Sequence, residues 1–271
     1  GKLVRREIIN RYDSNNEKTG VWKTYSTSGV LREEGTYKNG KRNGIFKQYK
    51  YNGELDELKK YNMNELEQDA EELNFVELYK EYYPKGELHF TIAKNEEGKR
   101  QGITQEYEKN GDVIVTKIFK NDTLFAKGII DNEGLRQSSW KYYYKGKKVI
   151  AKGKYKNDLK TGTWFYYYRD GKIEQKGKFS KGRYSGKWVW YYPNKAVHRE
   201  EYYRRGKEDG EFIEYNEEGK ILTKGDYVNG LRDGNWFYQV GDHTENGKYS
   251  DGEKEGEWTH YYDNEQLYFK G

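Results

Sequence analysis

The 271 residues contain no cysteine, two prolines and one methionine, and no stretch of about 18 apolar residues. Without cysteine there is no disulfide framework, no thiolate metal site and no cysteine nucleophile. Without a long apolar run there is no candidate membrane-spanning helix, and no apolar leader opens these residues. Aliphatic residues are sparse as well, since all hydrophobic types together make up 33% against 35% charged. That balance suits disordered chains, but such chains are poor in aromatics, and here 17% of the residues are Phe, Trp or Tyr. The chain is therefore expected to fold by burying Tyr (29), Phe (10) and Trp (7), spaced by 31 glycines.

Recognisable catalytic chemistry is missing too. The 4 His residues, His89, His198, His243 and His260, are scattered, and no HExxH, GxSxG or GxxxxGK[ST] motif occurs. Gly40 to Gly44 reads as a turn rather than a phosphate loop, because glycine recurs at every turn. Asp251, Glu253, Glu255 and Glu257 crowd one turn without the spacing of a calcium loop, so a solvated turn is the expectation. The sequence predicts a non-enzymatic protein with no metal ion and no cofactor.

What is present is an internal repeat. The pattern G-x-[WF]-x-x-Y occurs as Gly20, Trp22, Tyr25; Gly44, Phe46, Tyr49; Gly162, Trp164, Tyr167; Gly186, Trp188, Tyr191; Gly210, Phe212, Tyr215; and Gly256, Trp258, Tyr261. Degenerate copies start at Glu77, Gly102, Ser138 and Gly234, so the starts are 20, 44, 77, 102, 138, 162, 186, 210, 234 and 256, with a basic step of 24. Nine places on comes a turn glycine (Gly29, Gly53, Gly86, Gly111, Gly171, Gly219), eleven on an aliphatic, fifteen on a glycine such as Gly35, Gly153, Gly177 or Gly225, and seventeen on an aromatic such as Tyr37 or Phe179. Each repeat reads as strand, turn, strand, turn, and consecutive hairpins make an antiparallel meander. Strand alternation puts the aliphatic, the glycine and the aromatic on one face. Glycine there leaves room for a ring from the next strand, so rings over glycines replace an aliphatic core.

Four steps depart from 24: the 33-residue step adds about nine residues near 62–74, the 36-residue step about twelve near 122–131, the step from Glu77 to Gly102 is 25 and the last step is 22. The first addition favours a short acidic helix and the second an extra hairpin arm from Thr123 to Ala126. Residues 1–19 form a lead-in and 20–271 one repeat domain.

The stretch GTWFYYYRDGKIEQKGKF from Gly162 to Phe179, with turns such as Tyr37 to Gly44, resembles the MORN repeat in its MORN-2 variant, grouped with the bacterial YwqK-like proteins. The resemblance covers about Gly20 to Gly271. It implies an all-β, elongated, twisted single-layer antiparallel sheet of about ten stacked hairpins, and a non-enzymatic interaction module. Some such proteins are described as antitoxins, many bacterial ones are exported, and some eukaryotic relatives are linked to phospholipids. A secreted or cell-envelope location is expected from that habit and from the absence of an initiating methionine, with the cytoplasm as the alternative.

Charge is segregated along the chain. Residues 135–207 carry 21 Lys and Arg against 5 Asp and Glu, whereas 208–271 carry 6 against 16. Lys148, Lys152, Lys154, Lys156, Lys172, Lys176 and Lys178 sit at even offsets on second strands, away from the glycine and ring positions, and Arg204 and Arg205 extend the stripe. Such a stripe is either an anion-binding face or a solvated face. Tyr142, Tyr166 and Trp190, each four places into its repeat, form an aromatic row that is either core or an exposed platform for sugars or peptide. The leading expectation is a scaffold that binds another protein. The alternative is recognition of anionic phospholipid, nucleic acid or envelope glycan through the basic 135–207 face and the aromatic row.

Overall fold

In the computed structural model the repeats become antiparallel strands, described over residues 9–51, 55–67, 77–95, 97–262, 264 and 266–271. The chain divides into two units. One is Gly1–Lys147 with Tyr155–Asp158, and the other is Lys148–Lys154 with Leu159–Gly271. The N-terminal unit contains two sheets. In the first, β1 (Arg11–Tyr12), β2 (Lys18–Tyr25), β3 (Leu31–Lys38), β5 (Gly44–Tyr49), β6 (Leu55–Asn62) and β7 (Glu65–Leu66) pair in that order, and the short β4 (Lys41–Arg42) pairs with β3. The second is the ladder β8 (Glu77–Tyr82), β9 (Leu88–Lys94), β10 (Arg100–Tyr107), β11 (Val113–Lys120), β12 (Thr123–Ile130) and β13 (Arg136–Tyr144).

These two sheets face one another for a reason written one place after each repeat start. Val21, Ile45, Leu78 and Ile103 stand there in the N-terminal unit, whereas Thr163, Lys187, Glu211, Asn235 and Glu257 stand there in the C-terminal unit. An aliphatic row on an open face must be covered. Ile45, Thr36, Thr91, Ala93, Ile103 and Ile130 are accordingly all buried. The Thr36 hydroxyl donates to the Glu133 carbonyl at 2.8 Å and joins the sheets directly.

The C-terminal unit is a meander with no facing sheet of its own among the described residues. It holds residues 148–154 of β14 (Lys148–Lys156), then β15 (Leu159–Tyr167), β16 (Ile173–Ser180), β17 (Arg183–Tyr191), β18 (Val197–Arg204), β19 (Lys207–Tyr215), β20 (Ile221–Val228), β21 (Leu231–Val240), β22 (His243–Ser250), β23 (Glu253–Tyr262) and β24 (Leu267–Lys270). From β15 to β24 each strand pairs antiparallel with the next.

Rings lie over glycines as the pattern predicts. A Cβ built on Gly177 would come 2.1 Å from the Trp188 indole, and Gly153 with Trp164 and Gly35 with Phe46 repeat the arrangement. Two further glycines outside the fifteenth position do the same, Gly128 under Trp140 and Gly247 under Trp258. A bulge makes this possible. Lys176 pairs with Val189 but Lys178 pairs with Ser185, so Gly177 alone faces Gly186, Lys187 and Trp188. Gly186 turns the strand through the left-handed region (φ 66°), lifting Trp188 across the neighbouring backbone. Trp140, Trp164 and Trp188 are almost wholly buried, which at about 25 cal/mol per Å² and about 150–250 Å² per ring represents about 4–6 kcal/mol of gross transfer free energy each.

The segment expected as a helix near 62–74 is turn and strand where described, with Met63 and Asn64 in a left-handed turn before β7, and residues 68–76 lie outside the described residues. Alternating charge such as Glu65, Leu66, Glu67 fits a strand edge as well as a helix, and the open edge of β6 took it. The twelve added residues of the 36-residue step amount to one whole eight-residue strand, β12, with its turn.

Candidate functional site

The even-offset face of the C-terminal unit carries the lysine stripe, narrower than the sequence predicts. Lys148 donates to the Arg169 carbonyl at 2.9 Å, and Lys172 to the Pro193 carbonyl at 2.7 Å while pairing with Asp170 at 3.1 Å. Arg204 pairs with Asp209 at 2.7 Å, and Arg205 sits in the left-handed hairpin turn after β18. Lys156 belongs to the N-terminal unit. Four lysines remain. Lys152 lies 5.2 Å from the Phe165 ring centre and 5.5 Å from that of Tyr167, and Lys176 lies 5.4 Å from Tyr191. Lys154 and Lys178 are exposed and hold no ion pair among the described residues.

Pairing continues this face as one row across ten strands: Phe165, Lys176, Val189, Glu200, Ile213, Lys224, Phe237, Asn246, Thr259 and Lys270. Apolar and charged side chains thus alternate along it as far as Phe237, after which Asn246 and Thr259 are neutral and polar. Further on, Glu211 pairs with Lys224 at 3.2 Å, and Asp226, Glu255 and Glu257 line a shallow hollow with Asn235 and Phe237. The face is basic over β14–β16 and mixed over its far strands, where Lys224 and Lys248 line the same hollow as the carboxylates and Glu257 pairs with Lys270 at 2.9 Å.

The opposite face is the ring layer, and it is roofed by cations that sequence reasoning missed. In both units, two places before the repeat start stand basic residues: Lys18, Arg42, Arg100 and Arg136 in the N-terminal unit, and Lys160, Arg232 and Lys254 in the C-terminal unit. Lys18 lies 4.4 Å from the Trp22 ring, Lys160 4.5 Å from Trp164, Arg232 5.1 Å from Trp236 and Lys254 3.9 Å from Trp258. A ring face so close to a cation is both covered and stabilised. The signal was a basic residue at a fixed offset, hidden by the many lysines around it.

The aromatic row lies within this layer. Tyr166 is 6.5 Å from Trp188, which is 5.9 Å from Trp190, and the Arg199 guanidinium covers Trp190 at 4.3 Å. Tyr142, in the N-terminal unit, stacks on Trp140 at 6.0 Å and shares a hydrogen bond with the Tyr155 hydroxyl. All three are half-buried. Where glycine is replaced by Glu201, the facing residue is Phe212, a smaller ring. The buried Glu201 accepts from the Tyr203 hydroxyl and lies 3.0 Å from Arg199 Nε. Burial pushes its carboxyl above the usual range, outweighing the pull of Tyr203 and Arg199.

Between the two sheets of the N-terminal unit is a cleft of about 760 Å³, lined by Ile45, Leu58, Leu88 and Ile103 and by Glu34, Lys47, Tyr49 and Gln105. Burial pulls the Glu34 carboxyl up, but Lys47 at 3.0 Å, the Tyr49 hydroxyl at 2.8 Å and Lys23 at 3.5 Å outweigh it and bring it down to about 2. Its charge is fully answered by neighbours, as a structural pair requires.

Repeats facing a neighbour on each side, with one ring-packed face and one polar face, suit binding rather than chemistry. No curated protein matches the chain. Among solved structures, a chain of the crystal structure of TcdB2-TccC3-Cdc42 is 12% identical, with 90% of this chain and 15% of that chain covered and a TM-score of 0.17. The present chain thus spans about 15% of that protein's length, and so low a score carries no argument. The repeats themselves are matched: residues 18–39, 160–181, 184–205, 208–229 and 254–271 are similar to the MORN repeat variant, a family of binding and scaffold modules.

Proposed function

We propose that this protein is a non-enzymatic scaffold that binds another protein across the even-offset face of its C-terminal unit. The observation that carries the reading is the charge order on that face, with the unpaired lysines Lys154 and Lys178 at one end and, at the other, a mixed hollow where Asp226 and Glu255 stand beside Lys224 and Lys248 and Glu257 is paired with Lys270. A partner with an acidic stretch facing the lysines and a mixed polar stretch facing the far hollow is matched along the whole row, whereas a uniform polyanion is attracted only over β14–β16. Placement among the YwqK-like proteins and a bacterial source belong to the same proposal and rest on the repeat pattern, while export rests only on the habit of the proteins it resembles.

In-cell crosslinking followed by affinity capture should retrieve one protein at near-equal stoichiometry. A turnover activity that survives purification, with no captured protein, would overturn the reading. The second reading, a polyanion, is favoured by Lys152 lying against Phe165 and Tyr167, an interleaving that suits nucleic acid. Binding to duplex DNA or phosphoinositide vesicles through four lysines would weaken about 10²-fold between 50 and 200 mM salt. A glycan would ignore salt and fail on Trp190→Ala, but the Arg199 cover over that ring counts against it.

A further inference from the structure

We propose that His243, Glu245 and His260 form a binding site for a divalent transition-metal ion of the zinc class. The three come from the hairpin of β22 and β23. His243 and Glu245 are two places apart on β22 and so share a face, and Glu245 pairs directly with His260 on β23. Glu245 Oε1 lies 3.6 Å from His243 Nε2 and 3.6 Å from His260 Nδ1, and one ligand atom from each of the three falls within 4.8 Å of the others. Ligands at about 2.0–2.1 Å around a tetrahedral ion stand roughly 3.3 Å apart, so side-chain shifts of up to about 1.5 Å close the set.

The surroundings match a metal site beyond the ligands. Asp242 Oδ1 lies 3.4 Å from His243 Nδ1 and so holds the far side of the imidazole, leaving Nε2 turned to Glu245. The Gln239 amide donates to the carbonyls of Gly241 and His243 and fixes the turn that carries the first ligand. Tyr268 and Phe269 stand 5.8 and 5.5 Å from the two imidazoles and shield the cluster from one side. Each ligand is about one-fifth exposed, which gives an ion access and leaves a fourth position for water or a partner's side chain. Two imidazoles and one carboxylate select zinc, copper, nickel or cobalt over magnesium and calcium.

The shorter repeat step creates this site. The 22-residue step removes two residues from the usual wide turn, so β21 and β22 pair without a bulge up to Val240 and His243. His243 thereby enters the sheet beside the ring layer instead of occupying a turn.

The test uses the full, untagged chain titrated with zinc sulfate by calorimetry and thermal unfolding, with magnesium chloride as the comparison. One zinc per chain should bind at micromolar concentration and raise Tm by roughly 5–10 °C at a hundredfold excess over Kd, with no effect of magnesium. His243→Ala, His260→Ala and Glu245→Gln should each weaken zinc binding at least tenfold, while His89→Ala leaves it unchanged. Cobalt(II) bound to the unaltered chain should give a tetrahedral visible spectrum, a readout independent of how the variants fold. No zinc binding, equal binding in all three variants, or an equal response to magnesium overturns the proposal.

Discussion

Replacing Gly177 by alanine isolates the contact on which the ring layer depends. Gly177 is not in the left-handed region, so alanine costs nothing in backbone conformation, and the whole effect comes from one methyl. That methyl would lie 2.1 Å from Trp188 Cδ2, whereas ordinary contact begins near 3.4 Å, so the indole must retreat by about 3.4 − 2.1 = 1.3 Å. It has little room. Tyr184 stands 4.3 Å and Phe179 5.1 Å from the ring, and its Nε1 donates to the Lys178 carbonyl at 3.0 Å. Overpacking of this kind costs about 3 kcal/mol, the top of the usual range. In a Trp188→Ala background, itself about 3–5 kcal/mol less stable, the same methyl fills space and gains about 0.4–1 kcal/mol from a less flexible unfolded chain. The double-mutant cycle should thus return a coupling of about 3–4 kcal/mol, read by urea unfolding with hydrogen exchange on the β16 and β17 amides. Equal costs of Gly177→Ala in both backgrounds would refute the reasoning.

Further outcomes follow from single groups. Ser138 holds the bulge position with φ 62° where eight of the other nine repeats place glycine, so Ser138→Gly should raise stability by about 1 kcal/mol, seen as a Tm increase in calorimetry. Glu34 is held below its unfolded range, so its contribution is present above about pH 4.5 and is lost as pH falls toward 2. Glu34→Gln should cost up to about 3 kcal/mol at pH 7 and little at pH 2, and an unchanged stability-against-pH curve would contradict this. Glu201 has the opposite sign. Its carboxyl is raised by burial, so ionisation costs stability as pH rises through the folded value, and Glu201→Gln should raise Tm at pH 7 more than at pH 3. A Tm difference that does not change with pH would count against that cause.

Much of the architecture was legible because a ring needs space and only glycine supplies it. Gly35, Gly153, Gly177 and Gly225 marked one position, Phe46 and the tryptophans another, and their spacing predicted the overlap that the structure contains. The repeat-starting glycine was visible, but its purpose as a bulge was not, because a bulge is a property of two strands in register. Val21, Ile45, Leu78 and Ile103 against Thr163, Lys187 and Glu211 held the difference between a covered and an open face in plain sight. At the candidate surfaces, offsets correctly gave the side on which the lysines project, but not which are engaged, since the Lys172 and Arg204 contacts depend on turn geometry. His243 and His260 were hidden by the irregular last step, which moves one of them by two places.

The claim that one face of the C-terminal unit packs the fold while the other binds is tested by reversing four charges. In Lys152→Glu, Lys154→Glu, Lys176→Glu and Lys178→Glu combined, none of the altered side chains holds an ion pair among the described residues, so Tm should fall by no more than a few degrees. Crosslinked capture beside the unaltered chain should then lose the partner by at least tenfold. A partner retained at its full level on this folded variant would contradict the account.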